Sequence, residues 1–121
     1  MVFRADSSGS GRGILGAKMV GAGSHKNILY VPGGGSAYRP WVDEDMVRRG
    51  DTIPTMEGRQ VFKLAVTKMP QITKQLLDEL GYGLDDLDLL VMHQANLRIN
   101  EAARNARGLP PEKVHNNIES Y

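Results

Sequence analysis

The sequence predicts an α/β domain in which short strands alternate with amphipathic helices. Apolar side chains recur every three or four residues over 58–80 and again over 99–106, which is the spacing of helices that bury one face. Apolar or β-branched residues also cluster in short runs that are typical of strands, at 14–23, 27–32 and 84–92. The order strand, strand, helix, strand, helix indicates a layered α/β architecture.

Length and composition indicate one soluble globular domain over residues 1–121, with 40% hydrophobic and 24% charged residues. The net charge of +1, without a basic block, argues against nucleic-acid binding and against an anionic membrane as partner. The absence of cysteine excludes disulfides, thiolate metal sites and thiol nucleophiles from this chain. With neither a signal-peptide core nor an apolar run of about 20 residues, the sequence predicts a cytoplasmic protein.

The first half of the chain contains short extended segments separated by turns. Met1–Arg4 has the composition of a strand end, and strands are predicted over 14–23 and 27–32. Residues 32–55 contain three prolines and four glycines without a sustained period, which predicts a long irregular loop. Its opening "PGGGS" (32–36) lacks the Lys-Ser/Thr ending of a phosphate-binding loop, so a structural turn is favoured.

Two helices dominate the second half. The first is predicted to begin at Gly58 and to end at Gly81, and its apolar face comprises Phe62, Ala65, Val66, Met69, Ile72, Leu76 and Leu80. Pro70 removes one backbone hydrogen bond from this helix, so a kink or a two-segment helix near 68–70 is expected. The second helix has Asn96 as its predicted N-cap and Gly108 as its stop.

His93 stands where a predicted strand passes into a helix. Such junctions are rigid, and ligands of α/β sheets bind at the carboxyl ends of the strands. An imidazole held there can transfer a proton near neutral pH. The residues alone nevertheless favour a buried histidine satisfied by a backbone carbonyl over a catalytic one. No metal site is predicted, because His25 and His115 are distant in sequence and no carboxylate stands at a ligand-like spacing from His93.

Three segments together carry a family resemblance: "PGGGS" (32–36), "VFKLAV" (61–66) and "MHQANLRI" (92–99). In this order and separation they resemble the C-terminal half of β-ketoacyl-acyl-carrier-protein synthase III, a member of the thiolase-like superfamily. The resemblance covers nearly the whole chain, and the His-Gln-Ala-Asn-Leu-Arg run is its most specific part. It implies the C-terminal half of a thiolase-like layered α-β-α fold, incomplete at both ends, in an enzyme that forms a homodimer.

The resemblance implies a decarboxylative Claisen condensation in fatty-acid biosynthesis. In this family an acyl group passes from a thioester to an enzyme cysteine, and decarboxylation of malonyl-carrier protein then generates the nucleophile that attacks it. A histidine and an asparagine donate hydrogen bonds to the malonyl thioester oxygen as it becomes enolate-like, and His93 matches that histidine. The substrates are carried on phosphopantetheine or coenzyme A, so no further cofactor is implied.

Two departures from the family pattern alter the expectation for this chain. It has no cysteine, and the family's asparagine belongs to a Gly-Asn-Thr run that would follow Tyr121. The chain alone is therefore predicted to be inactive. The alternatives are a non-catalytic domain that binds a carrier protein or pairs with a catalytic half, and a related secondary-metabolite ketosynthase.

The resemblance also implies two groups of binding residues. The predicted docking residues, which would contact acyl carrier protein, are Lys63, Gln94, Ala95, Asn96, Leu97 and Arg98. The predicted channel residues, which would line the path of the phosphopantetheine arm, are Met56, Gly58 and Phe62. From sequence alone, the alternatives are solvated surface cations at positions 63 and 98, a helix cap at Asn96 and a helix-start glycine at Gly58.

Overall fold

The computed structural model describes residues 7–120, so the strand end expected at Met1–Arg4 lies outside the described part. The described residues mix helices and short strands, as an α/β chain should. In chain order the elements are β1 (Leu29–Tyr30), α1 (Glu44–Arg49), β2 (Thr55–Met56), α2 (Gly58–Leu80), β3 (Leu90–Val91), α3 (Leu97–Arg107) and β4 (Val114–His115). Short 3-10 turns lie at Gly23–His25, Pro111–Lys113 and Ile118–Ser120.

The strands form two separate pairs. Strands β1 and β2 are antiparallel, with Leu29 opposite Met56, and they bring the chain to the start of α2. Strands β3 and β4 are parallel, with Leu90 opposite Val114 and Val91 opposite His115, and α3 is the crossover between them. Parallel strands require such a crossover, so β3, α3 and β4 form one unit that carries His93 in its first connection.

The predicted strand over 14–23 is wrong. Residues 14–22 form no regular element, and Met19 is 95% exposed. The segment runs past the C-terminal end of α2, where Lys18 forms an ion pair with Glu79 and Gly16 packs against Leu80. Among residues 7–120 no strand lies alongside to take its backbone hydrogen bonds, and a β-rich composition alone does not make a strand without a partner.

The second predicted strand and the loop after it also need correction. The strand over 27–32 is reduced to the two residues of β1, and the irregular segment 32–55 contains the helix α1. Asp43 caps α1 by accepting a hydrogen bond from the Met46 backbone N–H at 2.7 Å, and Gly50 ends it with a φ of 76°. A side-chain cap and a left-handed glycine, with the six residues of α1 between them, stabilise a short helix that shows no apolar period.

The "PGGGS" segment is a structural turn, as its residues favoured. Gly33 is buried, and its N–H donates to the backbone oxygen of Asp51 at 2.7 Å. A Cβ at this position would lie 2.9 Å from the Cβ of Asp51, closer than carbon atoms approach without displacement. The glycine therefore permits contact between two backbone segments, and its N–H is not available to an anion.

Helix α2 is continuous from Gly58 to Leu80, so the two-segment alternative at Pro70 is wrong. Proline lacks the N–H that would bond to the carbonyl of Val66. Its ring is buried, and the helix packs along α3, so tertiary contacts hold the helix together across the missing bond. The predicted stop is confirmed, because Gly81 adopts a φ of 77°.

Helix α3 has the predicted limits, because its two ends are capped locally. The side chain of Asn96 accepts a hydrogen bond from the Arg98 N–H at 3.0 Å, and Gly108 adopts a φ of 66°. The buried core lies beneath the β3–α3–β4 unit and comprises Met92, Ala103, Leu109 and Val114, with Met69, Leu84, Leu87 and Leu90 packed against it. This core fixes the strand end that precedes His93.

Candidate functional site

A cavity of about 790 Å³ opens between α2 and α3. The β1–β2 pair bounds it on one side and the turn from β3 to α3 on the other. Most of its lining is apolar, and its polar residues lie on the helices and the turn. The lining residues are Leu29, Met56, Gly58, Arg59, Val61, Phe62, Ala65, Met69, His93, Ala95, Asn96, Arg98, Ile99 and Asn100.

His93 lies in the wall of this cavity, two residues after the end of β3. The residue is exposed, and its imidazole has no hydrogen-bond partner among residues 7–120. The interpretation of a buried histidine satisfied by a backbone carbonyl is therefore wrong. The backbone on both sides is held by β3 and by the Asn96 cap, so the imidazole is presented to the cavity from a fixed turn.

All three predicted channel residues line the same cavity as His93. Met56 comes from β2, while Gly58 and Phe62 lie four residues apart on α2 and so share one helix face. A Cβ added at Gly58 would meet only the Cε of Met56, at 4.0 Å, so the first turn of α2 has open space beside it. The fold thus places together residues that are separated by more than thirty positions in sequence.

The predicted docking residues divide into two groups. Ala95, Asn96 and Arg98 line the cavity, but Lys63, Gln94 and Leu97 do not. Lys63 is an exposed residue on α2 outside the cavity wall. Asn96 caps α3 with its side chain, which is the structural alternative considered for it.

Gln94 is occupied within the fold. Its Nε2 donates to the backbone oxygens of Met92 and His115, each at 3.0 Å, and its Oε1 accepts from the N–H of Asn117 at 2.9 Å. Both amide hydrogens are thereby used, so little hydrogen-bonding capacity is left for a partner. The side chain ties the turn that carries His93 to the chain that follows β4.

A second connection joins the same two regions. Asn100 is fully buried, and its Nδ2 donates to Oδ1 of Asn116 at 2.8 Å, while its own Oδ1 has no hydrogen-bond partner among the described residues. Asn116 also approaches Glu101 at 3.5 Å, and Glu101 accepts two hydrogen bonds from Arg104. This polar network fastens the segment after β4 to the first half of α3.

Among the described residues that line the cavity, the Lys, Arg, Asp and Glu side chains number two, and both are arginines. Arg59 and Arg98 come from opposite helices, and no Asp or Glu from the described part of the chain is in the lining. The guanidinium of Arg98 lies 5.9 Å from the centre of the Phe62 ring, within the range of a cation–π contact. The described wall of the cavity is therefore mostly apolar and carries two positive charges.

Sequence reasoning did not identify Arg59 or Asn100. The signal for Arg59 is its position three residues before Phe62, which places both on one face of α2. Asn100 lies four residues after Asn96, and it is a polar residue next to the apolar stripe of α3. Neither residue is distinctive without knowledge of which helix faces meet.

In the part of the chain that the structure describes, no group of three or more His, Asp or Glu side chains is placed to hold a metal ion. None of the described helices combines the length and apolarity that a membrane span requires.

Comparison with known proteins gives a consistent result. The family model for the C-terminal region of 3-oxoacyl-[acyl-carrier-protein (ACP)] synthase III matches residues 77–121. The β-ketoacyl-[acyl-carrier-protein] synthase III of Caldanaerobacter subterraneus subsp. tengcongensis is 42% identical over 112 residues, 93% of this chain and 33% of that protein. The Rhizorhabdus wittichii protein of the same name is 33% identical over 121 residues, 100% of this chain and 34% of its own length. The chain spans about a third of the length of these curated relatives.

Solved structures give the same assignment. The crystal structure of 3-oxoacyl-(acyl carrier protein) synthase III from Pseudomonas aeruginosa PAO1 matches 77% of this chain with a TM-score of 0.60 and 32% identity, over 25% of its own chain. The 3-oxoacyl-(acyl-carrier protein) synthase from Burkholderia xenovorans LB400 matches 77% with a TM-score of 0.62 and 31% identity, over 27% of its chain. The fold expected from the resemblance, the C-terminal portion of this thiolase-like architecture, is thus confirmed. In sequence and in fold, the chain matches the C-terminal region of the β-ketoacyl-[acyl-carrier-protein] synthase III family.

Proposed function

We propose that this chain is the part of a β-ketoacyl-acyl-carrier-protein synthase III that holds the malonyl thioester during decarboxylative condensation in fatty-acid biosynthesis. The observation that carries the proposal is the cavity between α2 and α3, which joins His93 to Met56, Gly58 and Phe62. A thin, flexible arm that ends in a thioester fits a mostly apolar cavity with one exposed imidazole in its wall.

The proposed role of His93 is to donate a hydrogen bond to the thioester oxygen. When the malonyl group loses CO2, the electrons of the broken C–C bond pass to the thioester and develop negative charge on that oxygen. A donor aimed at the oxygen stabilises this charge more than it stabilises the ground state. The resulting carbon nucleophile then attacks an acyl thioester and releases the thiol that carried the acyl group.

Acyl transfer requires a nucleophile that this chain does not contain. The family's acceptor is a cysteine, and none of the 121 residues is cysteine. We therefore propose that the chain by itself does not catalyse acyl transfer or condensation. The parent protein would be an acyltransferase that acts in the cytoplasm as a homodimer.

Acyl carrier protein is the proposed macromolecular partner, and acyl-CoA or another acyl thioester is the proposed primer. Ala95, Asn96 and Arg98 support this because they lie in the cavity wall beside His93. Lys63 is exposed outside the wall, so in this proposal it would contact the carrier protein rather than its arm. Gln94 and Leu97 have less support as docking residues, because one is bonded within the fold and the other is half-buried away from the cavity.

A chimeric enzyme tests the proposal. The matching third of the Caldanaerobacter relative is replaced by this chain, and condensation with malonyl-carrier protein is measured. We expect activity from the chimera and a loss of about 100-fold or more in kcat for His93→Ala, which has no side-chain donor; this is the usual effect of removing one oxyanion donor. Acylation of the host cysteine should fall much less, because decarboxylation is the step that His93 serves.

His25→Ala is the matched control, since His25 is exposed and lies outside the cavity wall. It should leave condensation unchanged. Equal condensation rates in the His93→Ala and parent chimeras would refute the catalytic role. A chimera that binds carrier protein but never condenses, although its cysteine is acylated, would favour the alternative of a non-catalytic binding domain.

A further inference from the structure

We infer that Arg59, together with Arg98, binds the phosphate of the phosphopantetheine arm, and that Lys63 does not. The inference rests on the proposed function and deepens it, because it names the residues that distinguish a phosphorylated arm from an unphosphorylated one. Neither the family resemblance nor the sequence pattern singled out Arg59.

The positions of Arg59 and Arg98 relative to Phe62 support this inference. Arg59 and Phe62 are three residues apart on α2, so their side chains leave the same face of the helix. Arg98 extends from α3 to lie 5.9 Å from the Phe62 ring centre. Phe62 thus shares a helix face with Arg59 and approaches Arg98, and all three residues line the cavity with His93. Lys63 follows Phe62 on α2 but is outside the lining, because the next residue of a helix points about 100° away.

The charge of the cavity wall also supports this inference. The ion pairs of the described residues use Lys18, Arg48, Arg49, Lys74 and Arg104. Within residues 7–120, Arg59 and Arg98 have no carboxylate within ion-pair distance, and none of these residues that line the cavity is acidic. Two guanidinium groups at one cavity without a counter-charge repel each other, and an anion that binds there relieves the repulsion.

The chemistry of the cavity wall indicates which anion binds there. A mostly apolar cavity whose wall includes two arginines and an exposed histidine suits a ligand that combines an anionic group with a reactive group. Guanidinium binds phosphate through two parallel hydrogen bonds, which a single ammonium group does not reproduce. The phosphopantetheine arm has this arrangement, with its phosphate at one end and its thioester at the other.

Binding of 4′-phosphopantetheine and pantetheine to the immobilised 121-residue chain tests the inference, because the two probes differ only by the phosphate. We expect 4′-phosphopantetheine to bind about tenfold tighter at low salt, the effect of one charge-assisted contact. Arg59→Gln and Arg98→Gln should each reduce this ratio several-fold without weakening pantetheine. Lys63→Gln and the distant, ion-paired Arg48→Gln are matched controls that should keep it. Circular dichroism of each variant should match that of the parent chain, since all four positions are exposed.

The source of the phosphate is distinguished with two further probes, coenzyme A and a phosphopantetheinylated carrier protein. Loss of affinity for both in Arg59→Gln would support recognition of their shared arm. An unchanged ratio in Arg59→Gln, or a ratio lost in Lys63→Gln, would overturn the inference. Equal binding of pantetheine and 4′-phosphopantetheine would also overturn it, but would leave the proposed channel intact. Absence of binding by all four probes would reject the inference and the proposed channel together.

Discussion

The side chain of Gln94 donates a hydrogen bond across 3.0 Å to the backbone oxygen of His115, twenty-one residues further along the chain. The same amide bonds to Met92 and Asn117, so one side chain connects the end of β3 with the segment after β4. Because His93 lies between Met92 and Gln94, this connection fixes the turn from which the imidazole enters the cavity.

Replacement of Gln94 should therefore destabilise the fold. Gln94→Leu leaves two backbone carbonyls and one N–H without their partner, so we expect a loss of about 1–3 kcal/mol in the free energy of unfolding, measured with urea. Gln94→Glu should cost more, because a carboxylate would face the oxygens of Met92 and His115. Gln71→Glu is the control, since Gln71 is exposed on α2 and accepts a hydrogen bond from Lys68. Similar midpoints for both Glu variants would contradict the role assigned to Gln94.

The pair formed by Asn100 and Asn116 gives a second prediction. Asn100→Ala and Asn116→Ala should each destabilise the chain, since each leaves a buried or half-buried amide of the other residue without its partner. The double variant should cost less than the sum of the single changes, with a coupling of about 0.5–1.5 kcal/mol in a double-mutant cycle. Strictly additive effects would show that the 2.8 Å hydrogen bond contributes nothing measurable.

Exposed apolar side chains predict that the 121-residue chain self-associates in solution. Met19 is 95% exposed, Ile14 71%, Ile53 65% and Trp41 64%. Apolar surface of this extent associates to escape water. Analytical ultracentrifugation should show oligomers whose fraction increases with concentration. A single monomeric species with a cooperative melting transition would count against this prediction.

The chain alone should not carry out condensation. With no cysteine, it cannot form the acyl-enzyme intermediate that the family uses. Incubation with radiolabelled acyl-CoA and malonyl-carrier protein should give no labelled β-ketoacyl product above the background without protein. Turnover that depends on His93 would overturn the prediction and would require a different acyl acceptor.

The sequence predicted most of the second half of the fold correctly. The helix limits at Gly81, Asn96 and Gly108 follow from local signals, because caps and left-handed glycines act within one turn of the helix end. The start at Gly58 was predicted from the onset of the apolar period. The strand predicted over 84–92 is reduced to the two residues of β3, of which Leu90 is half-buried and Val91 exposed. The first half was predicted less well, because residues 14–23 have a strand composition but no partner strand among residues 7–120, and α1 forms through its caps without an apolar period.

What the sequence by itself determined is the family, through the His-Gln-Ala-Asn-Leu-Arg run, and the local limits of the two long helices. The tertiary structure decided which side chains meet. In the folded chain His93 is exposed to a cavity, Gln94 is hydrogen-bonded within the fold, and Arg59 rather than Lys63 lines the same cavity as Arg98. These relationships depend on how α2 rotates against α3 and on contacts between residues far apart in sequence, and no local pattern of residues specifies either.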